Sequence, residues 1–233
     1  MAVTTLDANT ALVVIDLQKG LVALPTVHPA DEVVKHAGEL ADAFRDHGLP
    51  VILVTVGGAP SGRTERASNV AQLPPGWDEL VPELNQRPDD HLVKKSNWGA
   101  FTNTDLDGHL KKLNVTQIVI AGVATSIGVE STARHARELG FNVTLAIDAM
   151  TDLNLDAHIN SVTRIFPQAR RDWHNTGDHR PARQVPRQSP ARYLRRIGLS
   201  NVIASAAVSR SAAMATPNTV SHPPVASCSS TAK

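Results

Sequence analysis

The sequence predicts a three-layer α/β/α domain over residues 1–167, built on a parallel sheet of about five or six strands and followed by a C-terminal tail of different character. Short unbroken apolar runs recur through the first part of the chain, as in strands buried on both faces. Between them lie stretches whose apolar residues recur at helical spacing. The two patterns alternate, which implies parallel pairing through right-handed crossovers.

The first run is Ala11-Leu12-Val13-Val14-Ile15. Pro29 suits a first helical turn, and Val33, Ala37, Leu40 and Phe44 then fall on one stripe until Gly48 stops the helix. Residues 51–56 read as a second strand. The stretch 57–90 is polar, with four prolines after residue 70 and a weak helical signal over 77–84. His91-Leu92-Val93 is a short third strand. Thr104 is placed as an N-cap for a helix carrying Leu106, Leu110 and Leu113. Residues 117–121 form strand four, 127–139 a helix ended by Gly140, and 142–147 strand five. Asn154 caps a last helix with Leu155, Ile159 and Val162.

Composition limits what this chain can be. Of its 233 residues, 42% are apolar and 19% charged, as in a globular protein with a core, and with only eight aromatic residues that core rests on Val, Ile, Leu and Ala. No apolar run approaches ~20 residues, so no membrane span is expected. Residues 1–9 lack a basic start followed by an apolar stretch, so no signal peptide is expected either. The one cysteine, Cys228, excludes an internal disulfide framework and a cysteine zinc site, and fits a reducing cytosol. The net charge of +1 hides a split: residues 1–167 carry 13 Lys/Arg against 20 Asp/Glu, or −7, and residues 168–233 carry 10 against 2, or +8. The acidic part argues against nucleic acid as a partner. The last 66 residues hold 9 Ser, 6 Pro and 11 Ala with no sustained period; a weak helix over 193–208 aside, they are expected to be a solvated, disordered tail.

Ligands of such sheets sit beyond the C-terminal ends of the strands, so the loops after Ile15, Val93 and Ala121 matter most. Asp16 follows strand one directly, where partial burial would raise its pKa and suit acid–base work; a loop-capping Asp is the plainer reading. Lys94 and Lys95 follow strand three and must point to opposite faces, so one can stand beside Asp16 and steady its charge. The small-residue turn Gly122-Val123-Ala124-Thr125-Ser126-Ile127-Gly128 leads into a helix and offers backbone N–H groups to a carboxylate or oxyanion. No phosphate loop follows strand one, which disfavours a flavodoxin-like nucleotide module.

Together these elements carry a resemblance. Residues 11–20 (ALVVIDLQKG), 94–106 (KKSNWGAFTNTDL), 116–140 (TQIVIAGVATSIGVESTARHARELG) and 142–149 (NVTLAIDA) resemble the isochorismatase-like hydrolases, also called the cysteine hydrolase superfamily, over most of residues 8–167. The resemblance implies that family's Rossmann-like α/β fold, a catalytic Asp, Lys and Cys, and a cis peptide before Ala124. Asp16 and Lys95 match the first two. The Cys position falls on Gly128, so no thiolate attacks and no thioester forms. The zinc-binding Asp-x-His pattern of nicotinamidases is absent from residues 57–63, and no metal or other cofactor is expected. Isochorismatases proper also lack the Cys and use the Asp to cleave a vinyl ether, but they carry a His where Ser126 stands. The chain is therefore expected to be a Gly-for-Cys member: a cofactor-free hydrolase of a small carboxylated molecule, cytoplasmic and homo-oligomeric (dimer or tetramer). The alternative is an inactive member that binds a small ligand or acts through oligomer contacts.

Val123, Ala124 and Thr125 are expected to line the substrate, with Trp98 as a wall and Arg63 as a carboxylate partner. Phe101 is a second candidate wall or a packing aromatic. Glu130 and Arg134 read as a surface pair one turn apart, Asp148 as a structural residue ending strand five, and His135 and His158 as helix-surface residues. The family commonly ends through a Gly-Glu-x-Gly-Thr-Thr-like stretch. Permitted codons for residues 170–176, read one base later, give Gly-Glu-Thr-Gly-Thr-Thr, so a frame shift near residue 168 is expected; the alternative is a genuine basic extension.

Overall fold

Every residue of β1 (Thr10–Ile15) is buried, because this strand lies at the centre of the sheet with helices on both sides. The computed structural model describes residues 6–60, 62–65 and 73–169. Its sheet runs β3-β2-β1-β4-β5, parallel throughout, with β2 Val51–Val56, β3 His91–Lys95, β4 Gln117–Val123 and β5 Asn142–Thr151. The outward neighbours of β1 are β2 and β4, so the order reverses there and the chain ends of β1, β3 and β4 converge.

Helix α1 (Lys19–Val22) is short; α2 (Ala30–Asp46) covers one face. The predicted stripe of Val33, Ala37, Leu40 and Phe44 is buried against Leu12, Val14, Leu53, Val119 and Ala121. Gly48 then takes a φ of +64°, which an L side chain rarely adopts, and α2 stops before it. The other face carries α3 (Leu106–Lys112), α4 (Glu130–Glu138), α5 (Leu155–Asn160) and α6 (Phe166–Ala169). There Leu106, Leu110, Val129, Ala133, Ala136 and Phe166 pack on Val13, Ile15, Ile52, Val54 and Ile120. Three layers result.

Several expectations change in detail. Residues 77–84 do not form a helix, because their backbone groups pair with the segment after β1: Glu79 O accepts from Lys19 N at 2.8 Å, Trp77 O from Gly20 N at 2.9 Å, and Val81 N donates to Leu17 O at 3.2 Å. Only Pro82–Leu84 closes a 3-10 turn. That pairing also induces α1, which has no periodicity to announce it. Asp105 rather than Thr104 is the cap residue of α3, since the Thr104 hydroxyl donates to Ala100 O at 2.5 Å and meets Leu106 N only at 3.4 Å. The helix expected from residue 127 begins as a wide π-helical turn, Thr125–Val129. Strand β5 does not end at 147: the ladder shifts between Ile120 and Gly122 and resumes with Gly122 beside Met150 and Val123 beside Thr151. Asp148 therefore lies inside the strand rather than at its end. Asn154 caps α5 as expected, accepting from Ala157 N at 2.9 Å. The tail, its expected helix, its frame and Cys228 lie outside the described residues. No helix among the described residues is long and apolar enough to cross a membrane.

Candidate active site

Asp16 leaves β1 with a φ of +54°, a left-handed conformation uncommon outside glycine. Its N–H donates to Val54 O at 2.9 Å and its C=O accepts from Gln18 N at 2.8 Å, which fixes the turn. Gln18 is buried and ties the strand ends together: it accepts from Val56 N at 2.8 Å and donates to Val56 O at 3.1 Å. On β3 the exposed Lys94 turns to Asp78 at 2.6 Å, and Lys95, one residue on, turns inward.

Lys95 Nζ reaches Asp16 Oδ2 at 2.7 Å, with both side chains almost wholly buried. Burial pushes the Asp16 carboxyl up to about 6; the Lys95 charge and hydrogen bond pull the other way without cancelling it. Asp16 Oδ1 is buried with no hydrogen-bond partner among the described residues. One oxygen is held by an ammonium and the other is free for chemistry.

The third component comes from the end of β4. At Gly122, φ is +118° and a Cβ would lie 1.9 Å from Ile15 O, so only glycine lets β4 pass this close to β1. The peptide between Val123 and Ala124 is cis, as the resemblance implies. The chain then enters the π-helical turn, which buries Gly128. A Cβ at Gly128 would stand 3.2 Å from Asp16 Oδ2, 3.0 Å from Ile15 Cγ2 and 3.5 Å from Val123 O. Asp16, Lys95 and Gly128 thus meet at one point.

The turn is fastened by residues that sequence reasoning missed. Thr125 is buried; its hydroxyl donates to Thr151 O at 2.9 Å, so His158 Nδ1, 2.9 Å away, must be the donor to it. Thr125 thereby holds the turn in place through its side chain. His158 is buried, which corrects the helix-surface expectation; burial lowers its pKa, and its ring meets His28 edge-on at 4.7 Å. Asp152 Oδ2 accepts from Ser126 N at 2.6 Å, and Oδ1 accepts from Leu153 N at 2.7 Å and Asn154 N at 3.1 Å. Asp152, not Asp148, is the residue that caps the loop after β5, while burial raises the Asp148 carboxyl and its Oδ1 has no partner among the described residues. The Asp-x-Asn spelling of residues 152–154 ahead of an α5 cap was the available signal.

The remaining candidates separate. Trp98 is 61% exposed, whereas Phe101 is buried beside Phe141 and is a core aromatic. Ala100 N donates to Thr132 Oγ1 at 3.0 Å, and that hydroxyl donates to Gly128 O at 2.7 Å, so the loop after Lys95 is linked to the turn. Arg63 is exposed on the loop after β2, and no contact brings it to Asp16. The Glu130–Arg134 pair forms at 2.9 Å, but Glu130 also accepts from Ser161 Oγ at 2.5 Å and so joins α4 to the segment after α5. His135 is half-buried against Phe101. No group of three or more His, Cys, Asp or Glu among the described residues could hold a metal ion.

A sequence profile of the isochorismatase domain matches residues 10–171. An uncharacterized isochorismatase family protein of Escherichia coli O157:H7, YecD, is 43% identical over 172 residues, covering 70% of this chain and 90% of its own. A ureidoacrylate amidohydrolase, RutB, of Pseudomonas syringae is 30% identical over 169 residues, covering 59% of this chain and 69% of its own. The solved structure of an isochorismatase family protein from Burkholderia thailandensis superposes with a TM-score of 0.70 at 42% identity, covering 72% of this chain and 93% of that one.

Proposed function

The chain belongs to the isochorismatase family of hydrolases, and from that premise we propose that it hydrolyses a small carboxylated molecule without cofactor and without a covalent enzyme intermediate. Asp16 serves as acid and base in one cycle, and Lys95 is its electrostatic partner. The backbone around Ala124, Thr125 and Gly128 cradles the substrate's negative charge, with Val123 and Trp98 beside it. The single observation that supports this most is the buried Asp16–Lys95 pair at 2.7 Å facing Gly128, where a side chain would otherwise meet Asp16 Oδ2. A carboxyl raised to about 6 can both take and give a proton near neutral pH. Gly128 carries no nucleophile, so water is the attacking group. The Pseudomonas relative's name specifies ureidoacrylate, itself a small carboxylate, which supports the substrate class. Leu155 and Ile159 lie four residues apart on α5 and are about half exposed, which supports association of copies of the chain.

The test is a screen of small carboxylates bearing amide, ureido or vinyl-ether bonds, with isochorismate among them, read both as product formation and as thermal stabilisation. Turnover of at least one compound is expected. Stabilisation by several compounds with turnover of none would replace the hydrolase reading with a ligand-binding one.

A further inference from the structure

We propose that Thr132 is a positioning residue of the site: its hydroxyl locks the loop that follows Lys95 to the turn that carries Gly128, and so keeps the Lys95 ammonium seated on Asp16. The inference deepens the reading above and rests on its assignment of Asp16 and Lys95.

Thr132 stands on α4, one helical turn after Gly128, and is fully buried. Its hydroxyl has one hydrogen to give. That hydrogen goes to Gly128 O at 2.7 Å, and the oxygen accepts from Ala100 N at 3.0 Å, so it is bonded to neither Asp16 nor Lys95. Ala100 and Gly128 are buried as well, so neither backbone group has solvent as a substitute partner. Branching at Cβ leaves a helical threonine few rotamers, which fixes where the hydroxyl points.

The two bonds close a circuit around the site. Lys95 holds Asp16 at 2.7 Å. From Lys95 the chain runs through Ser96, Asn97, Trp98 and Gly99 to Ala100. Ala100 N meets Thr132, Thr132 meets Gly128 O, and Gly128 packs back on Asp16 so closely that a Cβ there would crowd Oδ2 at 3.2 Å.

The loop in this circuit is stiff. The Thr104 hydroxyl donates to Ala100 O at 2.5 Å, and Asn97 Nδ2 donates to Thr102 O at 3.3 Å. Gly99 lies directly on α4, where a Cβ would stand 3.4 Å from the Ser131 backbone. A displacement at Ala100 is therefore passed on to Lys95 rather than absorbed on the way. Among the described residues, the hydrogen bond that ties this loop to α4 is the one at Thr132. Lys95 supplies the charge and the hydrogen bond that lower the Asp16 carboxyl against the effect of burial. A Lys95 that has slipped back leaves that carboxyl higher.

Thr132→Val keeps the side-chain shape and removes both bonds, whereas Thr132→Ser keeps both. The first measurement needs no substrate: carbon-13 NMR titration of the Asp16 carboxyl in the whole chain. The midpoint should move above about 6 in Thr132→Val and return to the wild-type value in Thr132→Ser. The second uses the screened carboxylate that the wild type turns over. Thr132→Val should lower kcat about 10-fold with KM within about threefold, and the inflection of kcat/KM should move up with the midpoint; Thr132→Ser should restore both. If the valine variant does not fold, Thr132→Cys, whose thiol bonds more weakly, should show the same upward shift in smaller measure. A folded Thr132→Val, or Thr132→Cys in its place, with the wild-type Asp16 midpoint overturns the proposal, whatever stability it has lost. A midpoint that moves while no compound is turned over upholds the positioning role and removes the hydrolase reading instead.

Discussion

On the β1–β3 side of the site two charged side chains meet out of water, and on the β4 side a bare stretch of main chain faces them. The first side is simple: two strand ends, one contact of 2.7 Å, and almost no exposure. The second is elaborate: a glycine that only fits with φ at +118°, a cis peptide, a π-helical turn and fasteners drawn from β5 and α5. One side of the site is tuned by burial, and the other is set by backbone geometry. On the first side burial pushes the Asp16 carboxyl up to about 6 against the pull of the Lys95 charge. The turn provides position: it brings the bare main chain of Gly128 up to Asp16.

Breaking the first side should cost the most. Lys95→Met leaves a buried carboxylate unpaired, and a loss of about 3–5 kcal/mol in urea unfolding at pH 8 is expected. The folded-state pKa of Asp16 is already raised from 3.8 to about 6, and removing Lys95 removes the influences that lower it, so it rises further. The variant's deficit is therefore small below the unfolded carboxyl range, where Asp16 is neutral in both states, and grows as pH climbs through the raised folded value. Carbon-13 NMR titration of the Asp16 carboxyl measures both midpoints.

Breaking the second side should cost less and be spread over several residues. Asp152→Ala strips the acceptor from three backbone N–H groups and should cost about 2–3 kcal/mol, read by thermal or urea unfolding. His158→Phe removes one hydrogen bond to Thr125 and should cost about 1 kcal/mol. Nitrogen-15 NMR of the wild type sharpens this: His158 should carry its proton on Nδ1, because the Thr125 hydroxyl hydrogen is already given to Thr151 O. Arg134→Ala, at an exposed pair outside both sides, should change stability by less than about 0.5 kcal/mol.

The same division explains what the sequence made legible. Buried strands read as apolar runs, so β1, β2 and β4 were visible, and with the shorter run of β3 so were the two strand ends that carry Asp16 and Lys95. Gly128 drew notice because the family resemblance implies a cysteine at that position of the turn. The fasteners were not visible. His158 and Asp152 act on Thr125 and Ser126 across 33 and 26 positions of chain, and helical spacing places His158 without saying that its surroundings are closed. The length of β5 was hidden because a register shift, which no periodicity records, carries it on to Thr151. Residues 77–81 lost their helix to backbone pairing with 17–20, a tertiary choice that local propensity does not encode.

The account stands on Asp16 as the group that moves the proton, and the comparison of wild type with Asp16→Asn across the carboxylate screen and across pH probes that directly. Wild-type kcat/KM should rise with pH through about 6 and level off, because the ionised carboxylate takes the water's proton. The asparagine variant should lose at least about 100-fold in kcat and show no inflection near that pH. An Asp16→Asn enzyme that turns over the same compound at the wild-type rate would contradict the account.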